Sequence, residues 1–430
     1  MRLDLDELLT APLPPGTKGL PIVPKGFCVA DIKKQNWQIL NGDLPMPVAV
    51  IKSQALNNNI TVLNDYLAAV DIKLAPHGKT TLCPQLFERQ LQGGAWGITV
   101  ATISQLALCH HIGVDNILMA NELVGSAEIA QLAALSAQKP LNHYYVLVDS
   151  LSAAMAIQDG FAACPDAPRA KVLIEVGMKG GRCGVRTSDE VVALAQYMAK
   201  LDRVELCGIE GYEGLIIGPD AHEDAKWVND YLQTLMDSFY RLKALHLFAN
   251  PDQIILSAGG SVYYDLVARL FSQQEAGSIV PIVRSGCYLT HDSGFYRRML
   301  AQVHERHIFD TQPQLLPALE VWTRVLSRPE PDLVILSAGK RDLSYDIDLP
   351  EPISWYRQGE HEVPQSLSGC HISKLSDQHA FMHLAPDSPL AVGDLVALGI
   401  SHPCTTFDKW SLMYEVDEDY RVLGGLKTYF

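Results

Sequence analysis

The feature that most constrains the fold of this chain is a regular alternation of short apolar runs with helix-like stretches. Eight runs rich in Val and Ile lie between these stretches, at 72–76, 97–100, 116–120, 144–149, 172–177, 206–212, 254–260 and 282–286. Near-continuous apolar strands that alternate with helices are typical of a parallel sheet covered by helices. Eight such units in about 215 residues predict a (β/α)8 TIM barrel, with a doubly wound open sheet as the alternative.

The pattern changes after about residue 305. Short strand candidates are separated there by Gly, Pro and Asp, without the long helical patterns of the preceding part. This arrangement is typical of an all-β domain. We therefore predict a barrel over residues 45–305 and a C-terminal β domain over residues 306–430, with residues 1–44 packing on the β domain.

Composition and charge exclude several classes of protein. The formal net charge is −15 and Lys and Arg form no cluster, which disfavours nucleic-acid binding. The N-terminal stretch MRLDLDELLT is acidic where a signal peptide is basic, and no apolar run is long enough to cross a bilayer. The nine cysteines include no C-x-x-C pair, which disfavours a disulfide framework or a Cys-only zinc module. We expect a cytoplasmic protein without nucleic-acid or membrane partners.

Polar residues follow several of the predicted strands at the point where each strand ends. Lys79 follows the first run, Arg182 lies in the loop after the fifth, and Tyr212 closes the sixth. Active-site residues of parallel barrels come from the carboxyl ends of the strands, so these side chains are expected at one end of the barrel.

Glycines follow the seventh and eighth runs, in SAGGS (257–261) and RSGCY (284–288). Barrels commonly bind phosphate at these two loops, through backbone N–H groups and the start of the next helix. Gly259 and Gly260 allow the backbone to approach an anion, and Ser261 adds a hydroxyl. The string LSAGK (336–340) nearly repeats the first motif elsewhere, so its position rather than its composition makes it a candidate phosphate site.

A lone lysine opposite a phosphate site favours pyridoxal phosphate (PLP) as the cofactor. This cofactor requires an amine for the Schiff base, an anchor for its phosphate and a partner for its pyridine nitrogen. Lys79 supplies the amine, and burial beside cationic groups lowers the pKa of such a lysine. The alternative is a solvated lysine at the start of a helix.

A second candidate site is the H-x-C pair formed by His402 and Cys404, just after the strand candidate GDLVALGI. If the segment is extended, the two side chains point the same way and can reach one metal ion. Imidazole with thiolate favours zinc, and two protein ligands leave positions open for substrate. A purely structural role for both residues is the alternative.

Seven segments, in the order in which they occur, resemble the motifs of fold-type III PLP enzymes. These segments are LAPHGKT, IEVGMKGGRCGV, GIEGYEG, LSAGGS, RSGCYLTHD, LSDQHA and SHPCTTFD. The chain resembles the branch that contains D-serine dehydratase and D-threonine aldolase, which are relatives of alanine racemase. The resemblance covers roughly residues 45–410.

This resemblance implies an alanine racemase-like barrel with a C-terminal β domain, a homodimer, bound PLP, and zinc or another divalent metal. By motif, Lys79 matches the Schiff-base lysine and Tyr212 matches a tyrosine beside the cofactor ring. Arg182 matches the arginine that faces the pyridine nitrogen in this branch, whereas Arg284 resembles the arginine with that role in alanine racemases. The other implied ligands are His77, Ser257, Gly259, Gly260, Ser261, Gly286 and Tyr288 for the cofactor, and His402 and Cys404 for the metal.

The chain departs from the pattern of this branch at two places near the substrate pocket. The branch often reads P-H-x-K-T-H-K, and this chain has Thr81 and Leu82 in the last two positions. Glu175 and one additional glycine replace the aspartate that is common before G-x-x-R. The metal pair resembles the H-x-C of the dehydratases rather than the H-x-D more frequent among the aldolases.

The resemblance and the metal pair predict a D-amino-acid dehydratase. In this hypothesis Lys79 and Tyr212 are catalytic, the substrate is a β-hydroxy D-amino acid such as D-serine, and the products are a 2-oxo acid and ammonia. The main alternative is retro-aldol cleavage of a D-3-hydroxy amino acid, for which His379 is a candidate residue near the site. A racemase and a non-catalytic PLP carrier are less favoured, because a racemase has no need of the metal and a carrier lacks the β domain.

Overall fold

The computed structural model describes residues 2–218, 220–274, 277–309 and 313–430. The strands in these ranges are β1 (Val48–Lys52), β2 (Lys73–Leu74), β3 (Ile98–Val100), β4 (Asn116–Glu122), β5 (His143–Val148), β6 (Ala170–Val176), β7 (Val204–Gly211), β8 (Ile254–Ala258), β9 (Ile279–Val283), β10 (Leu319–Glu330), β11 (Leu333–Leu336), β12 (Glu351–Tyr356), β13 (Gln365–Ser366), β14 (His371–Leu375), β15 (Ala380–His383), β16 (Leu395–Gly399), β17 (Leu412–Val416) and β18 (Val422–Lys427). The helices are α1 (Asp6–Thr10), α2 (Val29–Ile32), α3 (Ser53–Ala68), α4 (Pro84–Gln92), α5 (Ile103–His111), α6 (Ser126–Gln138), α7 (Leu151–Ala162), α8 (Ser188–Met198), α9 (Ala221–Ala244), α10 (Tyr264–Ser272), α11 (Phe295–Arg306) and α12 (Cys404–Phe407). Single 3-10 turns occupy Ile39–Asn41, Gly78–Thr80 and Cys287–Leu289.

Strands β2 to β9 form a parallel sheet in the order β2-β9-β8-β7-β6-β5-β4-β3. Its two end strands meet, because the backbone N–H of Trp96 donates to the carbonyl of Leu74 at 2.8 Å and a parallel bridge joins His77 to Thr99. The eight strands therefore close into a barrel, which confirms the predicted (β/α)8 fold and excludes an open sheet.

The apolar runs form strands because both faces of the barrel wall are buried. Outward-facing side chains pack under the helices, while Leu118, Leu147, Leu173, Ile255 and Ile282 fill the barrel interior. A strand that is buried on both faces needs apolar residues at successive positions. This requirement explains why eight short runs were sufficient to predict the barrel.

The second sheet contains β1 and β10 to β18. Its main path runs β13-β12-β16-β10-β1-β17-β18, and β11, β15 and β14 extend from β10. Strand β1 pairs antiparallel with β10 and parallel with β17, so residues 48–52 belong to this sheet although they lie inside the predicted barrel range of 45–305. The predicted boundary at residue 45 therefore lies too early, and the chain passes to the barrel with α3.

The N-terminal segment packs against the second sheet. The N–H of Val422 donates to the carbonyl of Trp37, and the N–H of Ile39 donates to the carbonyl of Tyr420. Phe27 and Ile32 share an apolar cluster with buried side chains of β10 and β17. Residues 27–39 therefore pack on the second sheet, whereas the N–H groups of Leu3 and Asp4 donate to Glu88 and to the carbonyl of Ile112 on the barrel side.

The β sheet adjoins the carboxyl ends of the barrel strands. The N–H of Ser293 donates to the carbonyl of Ile400 at 2.9 Å, and the N–H of Ala318 donates to the carbonyl of Thr290 at 2.8 Å. Helix α12 consequently lies next to the turn that carries Lys79, and the Sγ of Cys404 is 3.5 Å from the Oγ1 of Thr80. Among the helices of the described ranges, none combines the length and apolarity that a membrane span requires.

Candidate active site

A cavity opens at the carboxyl ends of the barrel strands and brings together ten of the thirteen predicted site residues. Those ten are His77, Lys79, Arg182, Tyr212, Gly259, Ser261, Arg284, Gly286, His402 and Cys404. The cavity is also lined by Thr80, Ala120, Cys287 and Tyr296, which the sequence analysis did not select. Ser257, Gly260 and Tyr288 lie outside this lining.

Lys79 lies on the 3-10 turn that follows β2, and its side chain is open to solvent through the cavity. The pKa of Lys79 is lowered, chiefly because the surrounding protein desolvates the amine and also because Arg182 and Arg284 add positive charge. Cys404 and Cys287 act in the opposite direction. The neutral amine is therefore more accessible than that of an ordinary lysine.

His77 directly precedes this turn, and its imidazole lines the same cavity as Lys79. Burial lowers the pKa of His77 well below its usual value, and the charges of Lys79 and Arg284 lower it further. Its Nδ1 is buried without a hydrogen-bond partner among the described residues. The ring is therefore neutral, with one nitrogen free to bond a ligand.

Tyr212 and Arg182 form one wall of the cavity. The Arg182 guanidinium lies over the Tyr212 ring, 4.6 Å from its centroid. The N–H of Tyr212 donates to the Tyr231 hydroxyl at 2.9 Å, which in turn donates to the carbonyl of Val176. Burial and the neighbouring Glu213 raise the pKa of Tyr212 to about 12, so its hydroxyl stays protonated at neutral pH.

Arg284 lies in the floor of the cavity and is held entirely by protein groups. Its Nη1 donates to the Ser257 hydroxyl at 2.6 Å, and its Nη2 donates to the carbonyl of Gly211 at 3.0 Å. The same Nη2 lies 2.5 Å from a carboxylate oxygen of Glu210, and both side chains are buried. Ser257 therefore supports Arg284 from below instead of facing the cavity, whereas the exposed Arg182 has no comparable set of partners in the part of the chain that the structure describes.

The backbone N–H groups of the first predicted phosphate loop are already bonded, contrary to our expectation. The buried carboxylate of Glu213 accepts the N–H of Gly259 at 3.0 Å and the N–H of Gly260 at 2.5 Å. These two N–H groups are thus bonded within the protein rather than directed at an anion. Ser261 and Gly286 remain at the cavity surface.

Two residues of the second predicted phosphate loop have different surroundings. A side chain at Gly286 would clash, because its Cβ would lie 2.6 Å from the Thr80 hydroxyl and 2.8 Å from the carbonyl of His77. Gly286 therefore lets the two loops approach each other. Tyr288 is turned away from the cavity, and its hydroxyl accepts a hydrogen bond from Gln90 at 3.2 Å.

His402 and Cys404 reach the cavity from the β domain. Cys404 begins α12, so the pair lies at the start of a helix and not on the extended segment that we predicted. The Nδ1 of His402 lies 2.6 Å from a carboxylate oxygen of Asp346. Burial opposes the charged imidazole, but Cys404 and Asp346 raise the pKa of His402 to about 9.

The sulfur of Cys404 has a second sulfur beside it. The Sγ atoms of Cys404 and Cys287 are 3.6 Å apart, and Cys287 is buried on the 3-10 turn after β9. The hydrogen bonds from Cys287 and His402 hold the pKa of Cys404 well below its usual range. An imidazole oriented by a carboxylate, next to a thiolate, is a donor set that zinc prefers.

A separate group of possible metal ligands lies beside the cavity. In the described part of the chain, only Glu122, Glu175 and Cys183 bring three such donor atoms within 4.8 Å of one another. Burial and the neighbouring Glu122 raise the pKa of Glu175 to about 8. At neutral pH this pair of carboxyl groups holds a proton, which explains how two acids remain side by side.

His379, which was a candidate residue near the site, is exposed and is not part of the cavity lining.

Sequence reasoning missed Cys287, Asp346 and Glu213 for different reasons. Cys287 adjoins Gly286 in a selected motif, so its position gave a signal that was not used. Asp346 lies between β11 and β12, and Glu213 directly follows Tyr212. Their roles depend on which groups they face, and the sequence pattern does not contain that information.

Comparison with known proteins defines the class of this chain. The alanine racemase N-terminal domain matches residues 51–276, and a serine dehydratase domain matches residues 318–416. Since the first match covers more than half of the chain, the protein belongs to the family of the alanine racemase N-terminal domain.

Individual relatives extend this similarity over both sheets. D-threonine aldolase of Arthrobacter sp is 25% identical over 363 residues, which cover 84% of this chain and 86% of that protein. D-threo-3-hydroxyaspartate dehydratase of Delftia sp. (strain HT23) is 31% identical over 157 residues, which cover 35% of this chain and 39% of that protein. The crystal structure of D-threonine aldolase from Filomicrobium marinum superposes with a TM-score of 0.73 at 22% identity, covering 90% of this chain and 95% of that one.

Proposed function

We propose that this protein is a PLP- and zinc-dependent D-amino-acid dehydratase. It acts on a β-hydroxy D-amino acid such as D-serine and releases a 2-oxo acid and ammonia. The observation that carries this proposal is the meeting of Lys79 with His402 and Cys404 in one cavity. An amine beside an imidazole and a thiolate suits removal of a Cα proton and loss of a β-hydroxyl. The relatives named for D-threonine and D-threo-3-hydroxyaspartate support the substrate class.

The residues around the cavity fit PLP. Lys79 offers the amine, Arg182 and Tyr212 offer a cation and an aromatic ring, and Ser261 and Gly286 offer polar backbone and hydroxyl groups for the phosphate. When bound, PLP supplies the electron sink that stabilises negative charge at Cα. Glu213 fixes the loop of Gly259 and Gly260, so that loop shapes the site and does not itself bind the anion through those N–H groups.

Lys79 is the proposed base at Cα. Desolvation and the charge of Arg182 favour its neutral amine, which can accept the Cα proton near neutral pH. Tyr212 keeps its own proton because burial raises its pKa to about 12. Its proposed role is therefore to orient the reactants as a hydrogen-bond donor rather than to accept a proton.

His402 and Cys404 are the proposed ligands of the catalytic metal. Asp346 holds the Nδ1 of His402, which leaves Nε2 as the nitrogen available to a metal. Thr80 contacts the sulfur of Cys404 at 3.5 Å and so fixes it beside the turn of Lys79. When bound, zinc supplies a Lewis acid that makes the β-hydroxyl a better leaving group.

Retro-aldol cleavage is the alternative that one observation favours. This reaction requires a base at the β-hydroxyl instead of at Cα, and the neutral ring of His77 with its unpaired Nδ1 could serve. The exposed position of His379 argues against His379 in that role. Dehydration is still preferred, because the second residue of the proposed metal pair is Cys404, as in the H-x-C of the dehydratases, and not an aspartate.

The test uses the purified protein with PLP and zinc, supplied with D-threonine, and identifies the products by mass spectrometry. 2-Oxobutanoate and ammonia would support the dehydratase, whereas glycine and acetaldehyde would establish the aldolase. Formation of L-allo-threonine alone, identified by chiral separation before mass spectrometry, would indicate a racemase. If D-threonine, D-serine and D-3-hydroxyaspartate all give no product, the proposal is contradicted and the PLP carrier becomes the better description.

Two further properties stay predictions, the first implied by the resemblance and the second by the scattered cysteines and the acidic N-terminal stretch. We expect a homodimer, which light scattering on the eluate of a sizing column measures directly. We also expect a cytoplasmic location, which cell fractionation with an antibody to the protein tests.

A further inference from the structure

The sulfur atoms of Cys287 and Cys404 come from opposite sides of the cavity. Cys287 lies on the barrel, in the turn after β9, and Cys404 begins α12 of the β domain. Their Sγ atoms are 3.6 Å apart, and both residues are free cysteines. The joint between the two sheets therefore places two thiols together beside the imidazole of His402.

From this juxtaposition we propose that Cys287 is a third protein ligand of the metal held by His402 and Cys404. The inference rests on the proposed function, because it concerns the same ion. Two thiolates at about 2.3 Å from a tetrahedral zinc ion lie about 3.8 Å apart, which is close to the separation of these sulfurs. A disulfide would require about 2.05 Å.

The surroundings of Cys287 suit a ligand better than a core cysteine. A buried structural cysteine is packed among apolar side chains, as Cys109 is in the barrel core. Cys287 instead lies at the cavity lining with Thr80, Tyr296 and Cys404, and hydrogen bonding and charge link it to these three groups. A thiol in such polar surroundings contributes little to apolar packing, but it is well placed to bind the same metal ion as Cys404.

Binding of one metal ion by all three residues requires a movement of the His402 side chain. The donors of His402, Cys404 and Cys287 do not all lie within 4.8 Å of one another among the described residues. The His402 ring, which is partly exposed, must turn toward the two sulfurs when an ion binds. Two thiolates and one imidazole then leave a fourth position for the β-hydroxyl, which is the composition of a catalytic rather than a structural zinc site.

Zinc K-edge X-ray absorption of the zinc-loaded holoenzyme counts the sulfur ligands without depending on turnover. The variants are C287S and C404S, with C370S as the control, because Cys370 directly precedes β14 and lies outside the cavity. We expect two sulfurs at about 2.3 Å in the wild type and in C370S, and one sulfur in each of C287S and C404S. We also expect the zinc affinity of C287S to fall at least about tenfold in a competition titration.

The outcomes separate this proposal from the proposed function. One sulfur in the wild type, or an unchanged sulfur count in C287S, overturns the role of Cys287 while the pair His402 and Cys404 stands. A wild-type protein that binds no zinc contradicts the zinc requirement itself, and the role of Cys287 with it. If C287S does not fold, the sulfur count of the wild-type holoenzyme still decides the question.

Discussion

The floor of the cavity and its mouth differ in how their polar groups are bonded. In the floor, Arg284 is surrounded by Glu210, Ser257 and the carbonyl of Gly211, and Glu213 is bonded to two backbone N–H groups. These groups are buried and already have partners. Their contribution is to hold the shape of the site, because binding a ligand would require breaking existing bonds.

At the mouth, the groups keep free bonding capacity. Lys79 takes part in none of the ion pairs among the described residues, and His77 has an unpaired Nδ1. The Nδ1 of His402 is held by Asp346, and Cys404 faces the sulfur of Cys287. The difference indicates that the floor is structural and that the groups still available to a ligand lie at the mouth.

The largest expected effect follows from removal of the amine at the mouth. We expect K79A to lower kcat by at least about 10²–10⁴-fold, since a positioned base contributes that factor and Lys79 is also the proposed attachment point of PLP. Turnover of D-threonine or D-serine measures the first effect, and the absorbance of bound PLP measures the second. K73A is the matched control, because Lys73 is an exposed lysine on β2 that pairs with Asp71 at 3.4 Å. Wild-type turnover by K79A would remove Lys79 from the mechanism.

The two arginines test the comparison between floor and mouth directly. We expect R284A to reduce the free energy of unfolding by about 3–5 kcal/mol, because it leaves the buried Glu210 without its counter-charge. We expect R182A to change this free energy by less than about 1 kcal/mol, since an exposed cation on a ring contributes little. Urea denaturation of both variants measures the two values. Equal losses in the two variants would mean that the floor is not more tightly bonded than the mouth.

How much of this arrangement the sequence could predict depends on the kind of information each part requires. The eight barrel strands were predictable because burial on both faces imposes continuous apolar runs. Strand β1 has the same composition, but it pairs with β10 and β17, which both lie far from it in the chain. An apolar run shows that a strand is buried and does not show which sheet contains it.

The features of the site also fall into those that the sequence could predict and those that it could not. Lys79, Arg182 and Tyr212 were predictable because parallel strands bring their carboxyl ends together. The bond from Gly260 to Glu213 and the contact between Cys287 and Cys404 were not, because they depend on side-chain directions and on the docking of the β domain. Residue position along a strand is encoded locally, whereas the partner of a side chain is decided by the whole fold.

A smaller effect is expected from the residue that orients the imidazole at the mouth. Asp346 holds His402 at 2.6 Å and also accepts a hydrogen bond from the Thr405 hydroxyl at 2.7 Å. We expect D346N to lower zinc affinity by about 10–100-fold, which is typical when the partner of a ligating histidine is changed. A competition titration with a zinc chelator measures it. D377N serves as the control, since Asp377 is exposed and pairs with the exposed Arg341 at 3.4 Å; a loss of equal size there would contradict the role of Asp346.

The smallest effect concerns the acid pair beside the cavity, Glu122 and Glu175. The pKa of Glu175 is raised from 4.5 to about 8 by burial and by Glu122, so the folded protein keeps a proton that the unfolded chain releases. Stability must therefore fall as pH rises from about 4.5 to about 8. We expect E175Q to match the wild type at about pH 4 and to exceed its free energy of unfolding at pH 8 by at least about 1 kcal/mol, the cost of one pKa unit. Denaturation curves across this range measure the slope, with E418Q, at an exposed glutamate, expected to leave it unchanged. An unaltered slope in E175Q would show that these carboxyl groups do not hold the proton, and the metal-binding interpretation of this cluster would then deserve a zinc titration of its own.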